Sequence, residues 1–426
     1  MKSTNISLDF FENCVLKQNQ QYPYHYILSP YYKSVDPNWT LLINVSILDE
    51  KKGTVAKDRE VINGVLNILK TNKTPEEKKK LLEQYNLSQK EKKAIGIMLG
   101  MAIGDAMGAG YEFKPVRYDG KDKNPMENSS TKFGMKPGQW TDDTSMGLCL
   151  ADSLLMNKGQ LNQHDLMHRF LCWWKGGYNN AFRNEPIPRH SVGLGGNISM
   201  SFKYYMKKPV PKTEAGDENT SGNGSIMRNA AIPICFSYDI NLACEMARKQ
   251  SLVTHQGIEA KECCSLLTYI IVKLLNGEKL KDVLDNLGTT FKTESKGVFH
   301  LANHKQEGND ENRNWDWTVK QYKYSPKRSH DKPGYVGSYA MDNMAMSLNT
   351  VYQTNSFEEA LVRIVNIRGD ADSVASVVGQ IAGAYYDIET IPGDWIKAIN
   401  KWDDGDIALK GYMLARLSEG KSYVVK

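Results

Sequence analysis

The sequence predicts a mostly α protein, and three observations carry that prediction. Apolar residues recur at helical spacing in window after window beyond residue 88. Two capping-box signals, Thr74-Pro75-Glu76-Glu77 and Ser88-Gln89-Lys90-Glu91, mark helix starts where a hydroxyl and a glutamate three residues on satisfy each other's backbone N–H. A strand-and-turn composition, rich in Tyr, Pro, Trp and β-branched residues, belongs to residues 22–48.

The elements follow in order. Tyr22-Pro23-Tyr24-His25-Tyr26 opens the short strands and turns of a small α+β accessory unit, residues 1–88, and Thr74 starts a short charged helix within it. The main domain, 89–426, begins at the second capping box, where Ile95, Met98, Leu99, Ala102 and Ile103 share one helical face. Further helical patterns cover 144–156, 165–174, 242–251, 257–275, 339–352, 357–365 and 373–386. Residues 120–138 and 293–333 interrupt them. The second stretch is polar, carries Asn303-His304-Lys305-Gln306-Glu307-Gly308-Asn309-Asp310, and reads as an insertion.

Composition narrows the class. A chain of 426 residues exceeds one ordinary core of roughly 100–200 residues, so a large domain with something attached is expected. Apolar and charged fractions of 41% and 24% exclude extended disorder. A net charge of +5, with no dense Lys/Arg run, makes nucleic acid a poor default partner. Seven scattered cysteines, with Cys263 and Cys264 adjacent, read as reduced thiols of a cytoplasmic protein. The start runs into Asp9 and Glu12 rather than a signal core, and no apolar run nears the roughly 20 residues that span a bilayer. A monomer without membrane contact is expected.

Five constellations carry chemistry. Thr141-Asp142-Asp143-Thr144 opens one helix and Asp370-Ala371-Asp372-Ser373 another. Each could be a cap with acids favoured by the helix dipole. If the two helices converge, the same residues offer hard oxygen ligands around one point, which suits Mg²⁺ or Mn²⁺. Clustered carboxylates repel and raise one another's pKa unless a cation offsets them, which favours the metal reading. In Gly104-Asp105-Ala106-Met107-Gly108-Ala109-Gly110-Tyr111-Glu112-Phe113, glycines end a helix and deliver Glu112 on a flexible segment. Ser221-Gly222-Asn223-Gly224-Ser225-Ile226-Met227-Arg228 is either an ordinary loop or a backbone cradle for a pyrophosphate. Thr254-His255 stands at a helix head, where a lone histidine is usually structural.

Taken together and in this order, these motifs resemble the ADP-ribosylglycohydrolase family, which includes the dinitrogenase-reductase-activating glycohydrolases; the resemblance covers about residues 92–387. It implies an orthogonal helical bundle holding two Mg²⁺ or Mn²⁺ ions on Thr141, Asp142, Asp143, Asp370, Asp372 and Ser373. It implies catalytic roles for Asp142, Asp143 and Glu112, the last as a mobile acidic ligand or gate. It places Gly222, Asn223, Gly224, Ser225, Met227 and His255 around the diphosphate and ribose. The sequence departs from the family pattern at Arg368, where a second glycine is usual, at Ser373, where threonine is usual, and at Asp387, where a final glycine is usual.

The activity so implied is metal-dependent removal of ADP-ribose from a modified protein side chain, arginine first and serine as the alternative. A di-metal phosphoesterase would need similar carboxylates, and release of phosphate or AMP instead of intact ADP-ribose would reveal it. A reading from another class starts with the aromatic stretch 22–39. Some members of the family act as immunity proteins, and such a unit would block an ADP-ribosyltransferase toxin while the main domain reverses its damage.

Overall fold

The computed structural model describes residues 54–420, apart from 124, 128–132, 183, 184 and 186–188. The strands and turns expected at 22–48 lie outside the described residues. Among those described there is no strand, only the isolated bridges Lys114 to Gly369, Gly222 to Tyr339 and Gln306 to Asn314. None of the described helices is long and apolar enough to cross a membrane. The described cysteines are buried, and none forms a disulfide with another.

The helices that frame the site are, in chain order, α1 (Thr54–Leu69), α2 (Pro75–Leu82), α3 (Gln89–Gly108) and α4 (Asp142–Met156). Then come α5 (Gln163–Gly176), α6 (Gly196–Lys207), α7 (Ile240–Ser251) and α8 (Ile258–Leu275). Last are α9 (Ala340–Tyr352), α10 (Phe357–Ile367), α11 (Ala371–Tyr385) and α12 (Asp406–Ser418). Both capping boxes form; at α3, Glu91 N–H donates to Ser88 Oγ (3.1 Å) while Ser88 N–H donates to Glu91 Oε2 (2.7 Å).

α3 is the spine, and it is buried on every side rather than on one face. Its glycines explain how. Gly96, Gly100, Gly104 and Gly108 recur every fourth residue, a stripe along one face that lies against α11. A Cβ at Gly100 would fall 2.0 Å from Gly379 O, one at Gly104 2.1 Å from Ala375 O, and one at Gly108 2.3 Å from Asp372 Cα. The two backbones therefore touch, running antiparallel from the Gly96–Gly383 pair to the Gly108–Asp372 pair. This register sets the end of α3 beside the start of α11, which is how a fold without a sheet brings distant acids together.

Helices α1 and α2 bury Ile62, Val65, Leu66, Leu69 and Leu82 in the same core as α3 and α11. Arg59 Nη2 donates to Asp406 Oδ1 of α12 across 2.8 Å. The stretch 293–333, polar enough to read as a loop, contains the short helices Lys296–Ala302 and Pro326–Asp331 and buries Trp315, Trp317, Tyr322 and Tyr324. Trp317 Nε1 donates to Leu301 O (2.8 Å), and Asn349 Nδ2 of α9 donates to Trp317 O (2.8 Å). Its aromatic residues fasten it to the core.

Candidate active site

Four segments deliver acids to one place: α3 brings Asp105, the start of α4 brings Asp142 and Asp143, the start of α11 brings Asp370 and Asp372, and the turn after α3 brings Glu112. One oxygen from each of Asp105, Asp143 and Asp372 lies within 4.8 Å of the others, and so does one from each of Glu112, Asp370 and Asp372. Asp372 belongs to both groups. All but Glu112 are buried.

Neither helix start has the expected side-chain cap, although Asp142, Asp143 and Asp372 do lie in first turns. Thr141 stands at the N-cap of α4, yet its side chain accepts nothing from that helix. Its hydroxyl donates to Asp105 Oδ1 (2.9 Å). Asp105 does the capping from across the fold, accepting from Thr141 N–H (2.9 Å), Thr144 N–H (2.9 Å) and Thr144 Oγ1 (2.7 Å). Asp370, at the N-cap of α11, likewise makes no side-chain cap; its Oδ2 accepts from Asn223 Nδ2 (3.0 Å).

The carboxylates are electrostatically unsettled. Burial first, then the charges of Glu112 and Asp105, push Asp142 well above the usual carboxylate range. Burial and Asp105 do the same to Asp143, and burial and Glu112 to Asp372. Burial raises Asp105 too, although the hydrogen bonds from Thr144 and Thr141 pull the other way. Asp143 Oδ1 is buried with no hydrogen-bond partner among the described residues. Thr141 Oγ1 lies 3.3 Å from Asp143 Oδ2 and 3.5 Å from Asp372 Oδ2, while Ser373 Oγ reaches Met227 Sδ at 3.5 Å. Clustered hard oxygens with an unsatisfied lone pair are what a divalent cation needs, so the residues present fit such an ion.

Glu112, Asp142, Asp370, Asp372 and Ser373 form one wall of a pocket of about 650 Å³. A second wall, joined to the first where Gly193 packs on Asp142, is rich in glycine: Gly193 to Ile198 at the start of α6, then Gly222, Asn223 and Gly224, with Met227 and His255. A Cβ at Gly224 would come 2.9 Å from His255 Cε1. His255 Nδ1 is 2.9 Å from Thr254 Oγ1, and burial together with Arg228 pulls its pKa down to about 3, so the ring is neutral. Arg228 is buried behind it, donating to Gln250 O (3.1 Å) and Thr254 Oγ1 (2.9 Å), with its guanidinium 4.5 Å from the centre of the Phe170 ring. Asn223 links the walls, since its Nδ2 also donates to Gly337 O (3.0 Å).

Two expectations change. Ser225 does not line the pocket: its hydroxyl lies behind the loop, 2.8 Å from Ser251 Oγ. The segment bearing Glu112 is not a loose glycine tether, because backbone bonds zip it to its neighbours. Phe113 N–H donates to Gly369 O (2.8 Å), Gly369 N–H to Lys114 O (3.0 Å), Arg117 N–H to Ile367 O (2.9 Å) and Val116 N–H to Pro333 O (3.2 Å). Of the departures from the family pattern, Arg368 has φ 68° and ψ −144°, a backbone conformation that glycine adopts freely and arginine only under strain. Asp387 lies beyond the far end of α11, bonded to Gln89 Nε2 (3.1 Å).

Two features escaped sequence reasoning. The hub role of Asp105 had a signal: it is the only acid in the apolar run from Ala94 to Gly108. The glycine loop Gly193-Leu194-Gly195-Gly196 also had one, a glycine cluster directly before a helix. Gly193 is required, since its φ is 89° and a Cβ there would meet Asp142 Oδ1 at 1.9 Å.

The model of the ADP-ribosylglycohydrolase family matches residues 86–421. The chain belongs to the ADP-ribosylglycohydrolase family. It is accordingly a hydrolase acting on glycosyl bonds. The glycohydrolase is 28% identical over 307 residues to the ADP-ribosylarginine hydrolase Tri1 of Pseudomonas putida (strain GB-1), covering 72% of this chain and 74% of that one. It is 26% identical over 312 residues to the ADP-ribosyl-[dinitrogen reductase] glycohydrolase of Rhodospirillum rubrum, covering 72% and 90%. A solved structure described as an ADP-ribosylglycohydrolase-related protein complex superposes with a TM-score of 0.60 at 28% identity, over 78% of this chain and all of that one.

Proposed function

We propose that the glycohydrolase removes ADP-ribose from arginine side chains of modified proteins, using two Mg²⁺ or Mn²⁺ ions held by Thr141, Asp142, Asp143, Asp370, Asp372 and Ser373. The observation that carries this reading is the convergence of acids at and just behind the wall of an open pocket, with one buried oxygen of Asp143 unsatisfied. When bound, such ions supply Lewis acidity and orient ribose hydroxyls beside the scissile bond. The relative named as an ADP-ribosylarginine hydrolase supports arginine as the linkage.

The glycine-rich wall receives the diphosphate. The start of α6 has no side-chain cap and lies on the pocket, so its free N–H groups and dipole favour an anion. Neutral His255 can touch the ligand without titrating. Asp142 lines the pocket and Asp143 does not, which supports Asp142 as the acid that takes a proton from the attacking water. Glu112, the least buried of the acids, enters on this reading as the carboxylic acid, gives its proton to the leaving nitrogen, and is reprotonated when Asp142 releases its proton to solvent. The water oxygen bonds to the anomeric carbon, the C–N bond breaks, and the guanidine departs with its proton.

The test incubates the purified protein with Mg²⁺ or Mn²⁺ and proteins ADP-ribosylated on arginine or on serine, and identifies the product by mass spectrometry. Intact ADP-ribose from arginine supports the proposal; AMP or phosphate would move it to phosphoester chemistry, and release from serine alone would change the linkage.

A second reading starts from the N-terminal unit, residues 1–88, and in particular from its aromatic stretch 22–39, since the helices within 54–82 pack into the main core. On this reading that stretch binds and blocks an ADP-ribosyltransferase toxin. Deleting residues 1–53, which spares the core residues of α1, should abolish toxin capture in a pull-down and leave hydrolysis intact. Undiminished capture would end this reading.

A further inference from the structure

We propose that Phe113 and Tyr335 form a subsite for the departing side chain, an aromatic wall that receives the planar cation of an ADP-ribosylated arginine; this rests on the arginine reading above. Phe113 has φ 59°, in the left-handed region where a bulky residue is an outlier. The fold holds it there: Phe113 N–H is bonded to Gly369 O (2.8 Å), and Gly334 approaches so closely that a Cβ on it would fall 2.4 Å from Phe113 O. Strain of this kind persists only where the surroundings over-determine it, and here it sets a ring on the pocket beside Glu112.

Tyr335 completes the wall. Its ring centre is 5.1 Å from that of Phe113 with the planes tilted by 42°, and the residue is 53% exposed at the pocket. Its position is also tied to the acids, because Val336 O accepts from Asp370 N–H (2.8 Å) and the next residue, Gly337, would bring a Cβ to 3.5 Å from Asp370 Cβ. The two rings therefore stand beside Glu112 and Asp370, on a segment that Ser338 O also ties to Asn223 N–H (2.9 Å).

The charge of the lining decides what such a wall would take. Among the described residues lining the pocket there is no Lys or Arg, while Glu112, Asp142, Asp370 and Asp372 all lie there. Lys114, the nearest basic neighbour in sequence, turns instead over the Tyr111 ring at 5.1 Å. A planar cation stacked on an aromatic face next to Glu112, the one of these acids outside the proposed metal set, gains both attractions. A neutral side chain such as serine gains neither. The wall thus selects the leaving side of the substrate and makes no contact with the ADP-ribose itself.

The experiment compares Tyr335→Ala, Tyr335→Leu and Tyr335→Phe with the wild type on an arginine-linked peptide, a serine-linked peptide, and ADP-ribose as inhibitor. Loss of the ring in the first two should raise KM for the arginine substrate about three- to tenfold with kcat held, the size of one partly exposed cation–π contact. Tyr335→Phe should behave as wild type, and inhibition by ADP-ribose should not move. Unchanged KM in Tyr335→Ala, or ADP-ribose inhibition weakened by the same factor, would overturn the subsite. If the wild type releases nothing from arginine, the functional proposal fails separately. Calorimetry with ADP-ribosyl-arginine and ADP-ribose then reads the subsite without turnover, and equal affinities for the two overturn it.

Discussion

One wall of the pocket is made of carboxylates driven together by helix packing, and the other of backbone laid bare by glycines. The acidic wall exists because α3 and α11 touch along a glycine stripe, and the unpaired oxygen and upward-shifted acids show that it is unfavourable as it stands. The glycine wall is quiet: its histidine is neutral and its cationic neighbour Arg228 is held behind it by hydrogen bonds to Gln250 and Thr254. The contrast teaches a division of labour. An acidic wall alone would repel a diphosphate, so a ligand carrying one needs the glycine wall to seat it and cations to reconcile it with the acids.

Breaking the acidic wall should have the largest effect. Asp372→Ala removes the acid shared by both groups, and ADP-ribose release should fall by about a thousandfold or more while far-UV circular dichroism stays unchanged. Activity within tenfold of wild type would show that the cluster is not the reaction centre. Asp105→Asn acts one step back, through Thr141 and Thr144, and should cost about 10- to 100-fold in turnover with a parallel loss of Mn²⁺ affinity. A fall in melting temperature alone would make Asp105 a purely structural cap.

The glycine wall should respond differently. Gly224→Ala presses on His255 and should weaken inhibition by ADP-ribose about tenfold while leaving Mn²⁺ binding intact. If Mn²⁺ affinity fell equally, the two walls would not be separable. pH gives the finest discrimination. The acids of the first wall have folded-state values above the ordinary 3.8, so the folded protein binds more protons than the unfolded one just above that pH. Metal-free stability should therefore decline as pH rises through that window, and Mg²⁺ should raise the melting temperature more at pH 8 than at pH 5. His255, depressed from 6.5 to about 3, costs stability only as pH falls between those values. Inhibition by ADP-ribose should accordingly show no histidine titration around pH 6.5.

The two walls were also unequally legible. Acids paired with hydroxyls at two helix starts, Thr141–Asp143 and Asp370–Ser373, stand out because such clusters are unfavourable without a partner. Spacing alone leaves open whether they cap their helices, since only the fold reveals that Asp105 caps α4 from elsewhere. Half of the glycine wall was visible in Gly222–Gly224. The loop at Gly193–Gly196 was not, because a glycine gains meaning from what stands where its side chain would be, here Asp142. Helical periodicity located the elements but missed that α3 has no exposed face. A polar composition likewise concealed the buried tryptophans of 293–333.

The most direct test is to chelate all divalent metal from the protein, assay release of ADP-ribose from an arginine-linked substrate, and then restore Mg²⁺ or Mn²⁺. Release should stop on chelation and return with the metal in the wild type, but not in Asp372→Ala. Full release from the chelated protein would contradict metal dependence, and would leave the buried acids without the role assigned to them.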